Sequence, residues 1–320
     1  MGPYILRRLL TMIPVLIGVS LVIFTIMRIA PGDVASMILV GEDGGQGRVD
    51  DEALNALREQ LGLNKPYHVQ YYEFVKGLVQ LDPGTSLWTN RPVLEVLKGR
   101  LGVTIELALL ALVFSLVIAI PLGVLSAVYQ DRWVDYVFRI ISIAGLSIPN
   151  FWMGVIVIIA LTRYFQWAPP LGYVGILEDP WTNIRQLFWP VVILGYSNAA
   201  IVARMTRSAM LEVLRDDYIR TARAKGLGSS PVVMSHAFRN ALLPVITLSS
   251  LQFGNLIGGT VIIETIFTLP GVGRFLVDAI TRRDYPVVQT IIVLSALTFV
   301  ILNLLVDLLY AWLDPRIRYV

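Results

Sequence analysis

Six stretches of this chain carry no Asp, Glu, Lys or Arg: Leu9–Met27, Leu107–Gln130, Ile140–Thr162, Gln186–Ala203, Asn240–Ile263 and Tyr285–Val306. Their lengths are 19, 24, 23, 18, 24 and 22 residues. At a rise of about 1.5 Å per residue, each can cross a hydrocarbon core of about 30 Å, the longer ones with some tilt. Pro14, Pro121, Pro149, Pro190 and Pro244 fall inside these runs. Prolines are better tolerated in bundled membrane helices than in soluble ones. Composition agrees: 56% of the 320 residues are hydrophobic, 15% are charged and the mean hydropathy is +0.68. That is too apolar for a domain with a solvated surface. The expectation is an all-α integral membrane protein with six transmembrane helices at 9–29, 103–130, 138–162, 186–206, 240–263 and 285–310. Arg7 and Arg8 precede the first run as in a secretory leader, but 19 apolar residues exceed a usual leader core and no small-x-small cleavage site follows. A retained first helix is expected.

Residues 31–100 form the one sizeable region outside the apolar runs. Gly41–Gly47 reads as a flexible loop by composition. Asp50–Leu61 reads as a helix: Asp50, Asp51 and Glu52 suit its start, Leu54, Leu57 and Leu61 share a face, and Gly62 lies beyond its end. Pro66–Gln80 reads as a second amphipathic helix with Tyr71, Phe74, Val75 and Leu78, and Asp82–Ser86 as a turn. Apolar faces imply burial without naming the partner. A cap packed on the bundle and a docking surface for another protein both remain open.

Arg215–Thr247 is a dense polar segment between two apolar runs. Asp216–Lys225 lacks helix breakers and is rich in Ala, Arg and Ile, so it should be a helix ending at Gly226 and Gly228. Ser229 or Ser230 can cap a second helix with Pro231 at its first position. Two short helices joined by a glycine turn are expected.

That arrangement resembles the EAA loop of bacterial ABC-importer permeases, the segment that docks into the ATPase subunits. The triplet here reads Arg220-Thr221-Ala222 before Gly226, and the later positions read Ala237-Phe238-Arg239. These departures from the general pattern match the first-type permease subunit of dipeptide and oligopeptide importers, whose loop typically reads DYxRTARAKG…HALRNALxPV. Pro31-Gly32-Asp33, Leu61–Asn64 and the element from Glu264 through Leu269-Pro270-Gly271-Val272-Gly273-Arg274-Phe275 match as well, so the resemblance runs from Tyr4 to Tyr319. It implies a single permease domain over 1–320, an extracytoplasmic insert at 31–100 and a cytoplasmic coupling helix-turn-helix at 207–239. The residues implied in ATPase coupling are Tyr218, Arg220, Thr221, Ala222, Arg223, Ala224, Lys225, Gly226 and Leu227. The implied partners are a second, related permease, two ATPase subunits, an external substrate-binding protein and membrane lipid. ATP and Mg would sit on the ATPase subunits, with no cofactor on this chain. The element starting at Glu264 would form a structured re-entry on the outer face.

Six spans put both termini on one side, together with 131–139 and 204–239. Lys and Arg number 13 on that side and 13 on the other, but 7 of the latter lie in 31–100, a segment too long for the positive-inside rule to weigh. Counting acids, the terminal side holds 13 basic against 7 acidic residues and the other side 13 against 16. Short-loop charge and the resemblance agree: both termini and the coupling loop face the cytoplasm of a bacterial or archaeal plasma membrane.

Catalytic constellations are missing from the sequence. His68 and His236 fall on opposite sides and cannot share a metal, and no HExxH, GxSxG or GxxxxGK[ST] occurs. Gly226-Leu227-Gly228 is too short for a nucleotide fingerprint. No cysteine is present, which removes disulfides and thiolate metal sites. The net charge of +3, spread over membrane flanks, gives no reason to expect nucleic acid. The expectation is a transport subunit rather than an enzyme. A membrane-embedded enzyme or processing factor, and a channel or carrier not driven by ATP, are the alternatives. Asn198, Gln252, Asn255 and Asn303 are candidates to line the pathway. Amides also join helices across a bundle, typically for under about 2 kcal/mol each, and that packing role is favoured. Asp307, one turn after Asn303, should face the bundle or the interface. Within the resemblance the substrate stays open among dipeptides, longer peptides, glutathione, nickel chelates and oligosaccharides, since selection usually lies in the external binding protein.

Overall fold

The computed structural model describes residues 2–41, 51–170 and 172–313. The expected loop after Gly41, and Asp50, lie outside the described residues. Among the described residues, thirteen α-helices and one short π-helical segment follow one another, and the one β feature is an isolated bridge between Thr85 and Pro92. Five helical stretches among the described residues are long and apolar enough to cross a membrane: Leu6–Ile29 of α1 (Gly2–Ile29), α5 (Val93–Val128), α8 (Pro180–Val213), Ser229–Ile266 and Tyr285–Leu308 of α13 (Tyr285–Leu313). A sixth is obtained if the bent pair α6 (Trp133–Ser147) and α7 (Asn150–Phe165) is one span.

The expected third span, 138–162, is therefore not one helix. The axes of α6 and α7 meet at 100°. Pro149 supplies no N–H and crowds the residue before it, and Ile148 accordingly leaves the helical region at φ −91°, ψ 119°. Pro14, Pro121, Pro190 and Pro244 lie inside continuous helices.

The chain divides into two compact units, one built from Met1–Gly102 and Arg274–Leu304, the other chiefly from Val103–Gly273. In the first, the segment after α1 forms α2 (Val34–Val40), α3 (Asp51–Gln60) and α4 (Tyr67–Val79). Asp33 caps α2 by accepting from the Ala35 amide and pairs with Arg58 of α3 at 2.9 Å. The Gln70 side-chain amide donates to the Leu63 and Lys65 carbonyls at 3.1 and 2.6 Å, which folds the connection between α3 and α4 back on itself. Tyr71 meets α1 through a 2.9 Å hydroxyl contact with Ser20 and an edge-on ring contact with Phe24. Asp284 accepts from Ser86 Oγ at 2.5 Å and from the Leu87 amide at 3.1 Å, and the Trp88 indole donates to the Arg282 carbonyl at 2.8 Å. Burial pushes the Asp284 carboxyl above the usual carboxylate range, against the pull of those donors. Arg283 donates to the carbonyls of Ala30, Pro31 and Gly32. The matched Pro31-Gly32-Asp33 element is thus a fastening point for the segment.

The second unit is organised by a close crossing of α5 and α8. A Cβ on Gly123 would sit 2.5 Å from Thr206 Cβ, and one on Gly195 would sit 2.8 Å from the Ala111 carbonyl. Small residues let membrane helices approach to backbone contact. Leu107, Ala108 and Ala111 of α5 then pack with Leu187, Ile193 and Leu194 of α8, and with Leu256, Ile263 and Phe267.

The element from Glu264 closes α11 (Phe238–Ile266) and turns tightly into α12 (Val272–Thr281). The buried Glu264 carboxylate accepts from Thr104 Oγ1 at 2.7 Å, and Thr104 Oγ1 accepts from the Val272 amide at 2.9 Å. The glycines leave room for this carboxylate: a Cβ on Gly271 would lie 2.3 Å from it. Gly271→Ala is expected to destabilise the folded chain by about 1–3 kcal/mol through forced displacement of Glu264. Thermal unfolding in detergent reads the effect; an unchanged midpoint would mean the turn opens freely.

Candidate functional site

The polar segment after α8 forms α9 (Asp217–Ala224) and then reverses at a glycine. Gly226 has φ +81°, a left-handed conformation. Its amide donates to the Arg223 carbonyl at 3.0 Å, and the Leu227 amide donates to the Ala222 carbonyl at 3.3 Å. This is the paired closure of a Schellman ending. Nothing lies within 4 Å of a Cβ at Gly226, so the requirement there is conformational, not spatial. Gly226→Val is expected to cost about 1–3 kcal/mol of local stability, and Gly226→Asn much less because Asn tolerates this region. Limited proteolysis of the two variants checks the ordering: Val should be the more readily cleaved at this turn.

The second short helix departs from expectation. Gly228 occupies the N-cap position, with no side-chain cap, and α10 (Ser229–Pro231) runs through the π segment Val232–Ala237 into α11 (Phe238–Ile266). These form one continuous helix of 38 residues. From Val232 to Leu243 the chain has neither Gly nor Pro, so nothing stops the helix before it enters the apolar run. The connection is one short helix and one turn, followed directly by the next span.

Ile219 and Ala222 of α9 are buried against Val124 and Ala127 of α5, Ala209 and Met210 of α8, and Val232, Ala237 and Ala241. The Tyr218 hydroxyl accepts from Asn240 Nδ2 at 2.7 Å and donates to the His236 carbonyl at 3.3 Å. Tyr218, Arg220, Thr221, Arg223, Ala224, Lys225, Gly226 and Leu227 remain exposed, while Ala222 is turned into its own chain. The helix therefore presents a basic outer face on an apolar anchor.

Beside it stands an ion pair that sequence reasoning passed over. Asp135 of α6, fully buried, takes two hydrogen bonds from Arg207 of α8, at 2.8 and 2.7 Å. It also accepts from Ser126 Oγ of α5 and from the Asp131 amide. One carboxylate thus joins three helices and the connection between two of them. The signal available in the sequence was an acidic residue in a short loop and an arginine four residues past an apolar run, a placement that calls for a partner.

Three of the four pathway candidates form a row. Asn198 Nδ2 donates to Ser115 Oγ at 2.7 Å, Gln252 Nε2 to Asn198 Oδ1 at 3.3 Å, and Asn255 Nδ2 to Gln252 Oε1 at 2.8 Å. The row leads from buried Ser115 and Asn198 to exposed Asn255, along a cavity of about 250 Å³ that Asn150 also lines. Asn303 belongs to the other unit. Among the described residues no group of His, Cys, Asp or Glu is placed to hold a metal ion.

Residues 119–319 match the family described as binding-protein-dependent transport system inner membrane component, and residues 1–108 match its N-terminal membrane component. A dipeptide transport system permease protein of Alkalihalophilus pseudofirmus is 44% identical, covering 99% of each chain. A putative peptide transport system permease protein of Brucella abortus is 42% identical over 100% of each chain. A glutathione transport system permease protein of Salmonella choleraesuis is 38% identical over 99% of each.

Proposed function

The chain belongs to the family of binding-protein-dependent transport system inner membrane components, and we propose that it couples to ATPase partners through the outer face of α9. It is a permease subunit of an ATP-binding-cassette importer of the peptide type. The observation that carries the coupling proposal is the two-sidedness of α9. Ile219 and Ala222 fix the helix to α5, α8 and α11, while Arg220, Arg223 and Lys225 project outward. A helix held so firmly passes a push on its outer face into three spans.

In this reading α9 and both termini face the cytoplasm, and residues 31–100 face outward to receive substrate from an external binding protein. A second permease completes the pathway, and two ATPase subunits hold ATP and Mg. ATP-driven closure of the ATPase pair moves α9 and switches the side to which the pathway opens. The row Asn198–Gln252–Asn255 offers amide donors and acceptors suited to peptide groups, with Asn303 a further candidate on the last span. The relatives' names point to dipeptides, other peptides and glutathione as the substrate class.

Native cysteine is absent, so single-cysteine variants report cleanly. Arg223→Cys is expected to cross-link to an ATPase subunit and to resist an impermeant reagent added to sealed cells. Lys76→Cys is expected to react with that reagent. Labelling of Arg223→Cys from outside would reverse the orientation and remove the coupling role.

A further inference from the structure

A cavity of about 420 Å³ opens between α5, α6 and α8 in the second unit, close to the Asp135–Arg207 pair. Its wall has two chemistries. Leu122, Phe138, Ile143 and Leu146 make an apolar side, and Arg139, Arg204 and Arg207 bring guanidinium groups to it, with no carboxylate among its lining residues. The Arg207 charge is taken up by Asp135. Arg139 and Arg204 are exposed, and among the described residues neither forms a salt bridge, although Arg139 lies over the Tyr136 ring. The cavity therefore holds excess positive charge beside an apolar wall.

Its depth in the membrane follows from helix length. α8 has 34 residues and so extends about 51 Å at 1.5 Å per residue, well beyond a hydrocarbon core of about 30 Å. Arg204 and Arg207 lie in its last ten residues, where an arginine reaches the headgroup level instead of the bilayer centre. Basic pockets between spans at that level suit anionic headgroups.

We propose that this cavity binds an anionic phospholipid, its phosphate against Arg139 and Arg204 and an acyl chain along Phe138, Ile143 and Leu146. A soluble phosphate would use the guanidinium groups but have no use for the apolar wall, which is why the lipid is the assigned occupant. Because the site adjoins the Asp135–Arg207 pair, and α8 leads directly into α9, its occupant is placed to stiffen the frame that α9 is fixed to.

The test uses the assembled importer, purified in detergent and exposed to phosphatidylglycerol, phosphatidylcholine or inorganic phosphate, with bound lipid counted by native mass spectrometry. The wild type is expected to retain phosphatidylglycerol in preference to phosphatidylcholine, and millimolar inorganic phosphate should not displace it. Arg139→Gln and Arg204→Gln should each weaken retention about fivefold, and the double variant about thirtyfold. Ser142→Phe, which fills the cavity without changing charge, should also lose the lipid and covers the case in which the double variant fails to assemble. Equal retention of the two lipids, or unchanged retention in Ser142→Phe, overturns the proposal; the latter is also the result expected if another subunit closes the cavity. Displacement by inorganic phosphate would reassign the site to a soluble anion and overturn it too.

Discussion

Asp135→Ala is expected to be among the most damaging single changes in the spans. It leaves Arg207, with side-chain exposure of 20%, without the carboxylate that takes both its hydrogen bonds. Breaking a buried pair by removing one partner typically costs about 3–5 kcal/mol, because the remaining charge keeps its desolvation penalty. Total stabilities are commonly about 5–15 kcal/mol, so a loss of this size removes a large share of the folded population's margin. Ser126 and the Asp131 amide lose their acceptor at the same time. Replacing both charges, as in Asp135→Ala with Arg207→Met, should recover much of the loss, since two apolar side chains leave no orphan charge. Thermal unfolding of the purified complex measures this. A shift for Asp135→Ala equivalent to less than about 1 kcal/mol would mean that water reaches the guanidinium and the pair is dispensable.

Ala222→Glu is expected to abolish peptide uptake and binding-protein-stimulated ATPase activity while the chain still enters the membrane. The new carboxylate would have to sit among Val124, Met210, Ile219 and Val232, where no partner is available. Burying such a group costs several kcal/mol, and the cheaper outcome is detachment of α9 from the bundle. The damage arises inside this chain, since Ala222 faces its own core and not outward. Arg220→Glu and Arg223→Glu, at exposed positions on the same helix, should leave folding intact and impair only coupling. Limited proteolysis separates the two classes: Ala222→Glu should open the connection after α8 to cleavage, and the arginine variants should not. Normal uptake by Ala222→Glu would show that α9 is not needed as a rigid lever.

The apolar runs were legible because lipid imposes a local condition: a long stretch without charge, readable residue by residue. The end of α9 was equally legible, since Gly226 sits where a left-handed residue closes a helix, a choice decided by a single backbone conformation. The amphipathic helices α3 and α4 also carried their own periodicity. Proline was a poorer guide. Six prolines stood in the apolar runs, Pro286 in the first turn of α13 among them, and only Pro149 ends a helix, since membrane helices in a bundle tolerate proline. The serines after Gly228 read as a cap, yet the helix they start continues into α11, because neither Gly nor Pro occurs between Val232 and Leu243 to stop it before the apolar run. Which face of α9 turns inward depends on α5, α8 and α11 together, and α9's own sequence left Ala222 and its exposed neighbours undivided. The pairing of Asp135 with Arg207 spans 72 residues, and the Asn198–Gln252 link spans 54. Such contacts are made by helices crossing in three dimensions: sequence set which segments enter the membrane, and tertiary packing decided which of their polar groups meet.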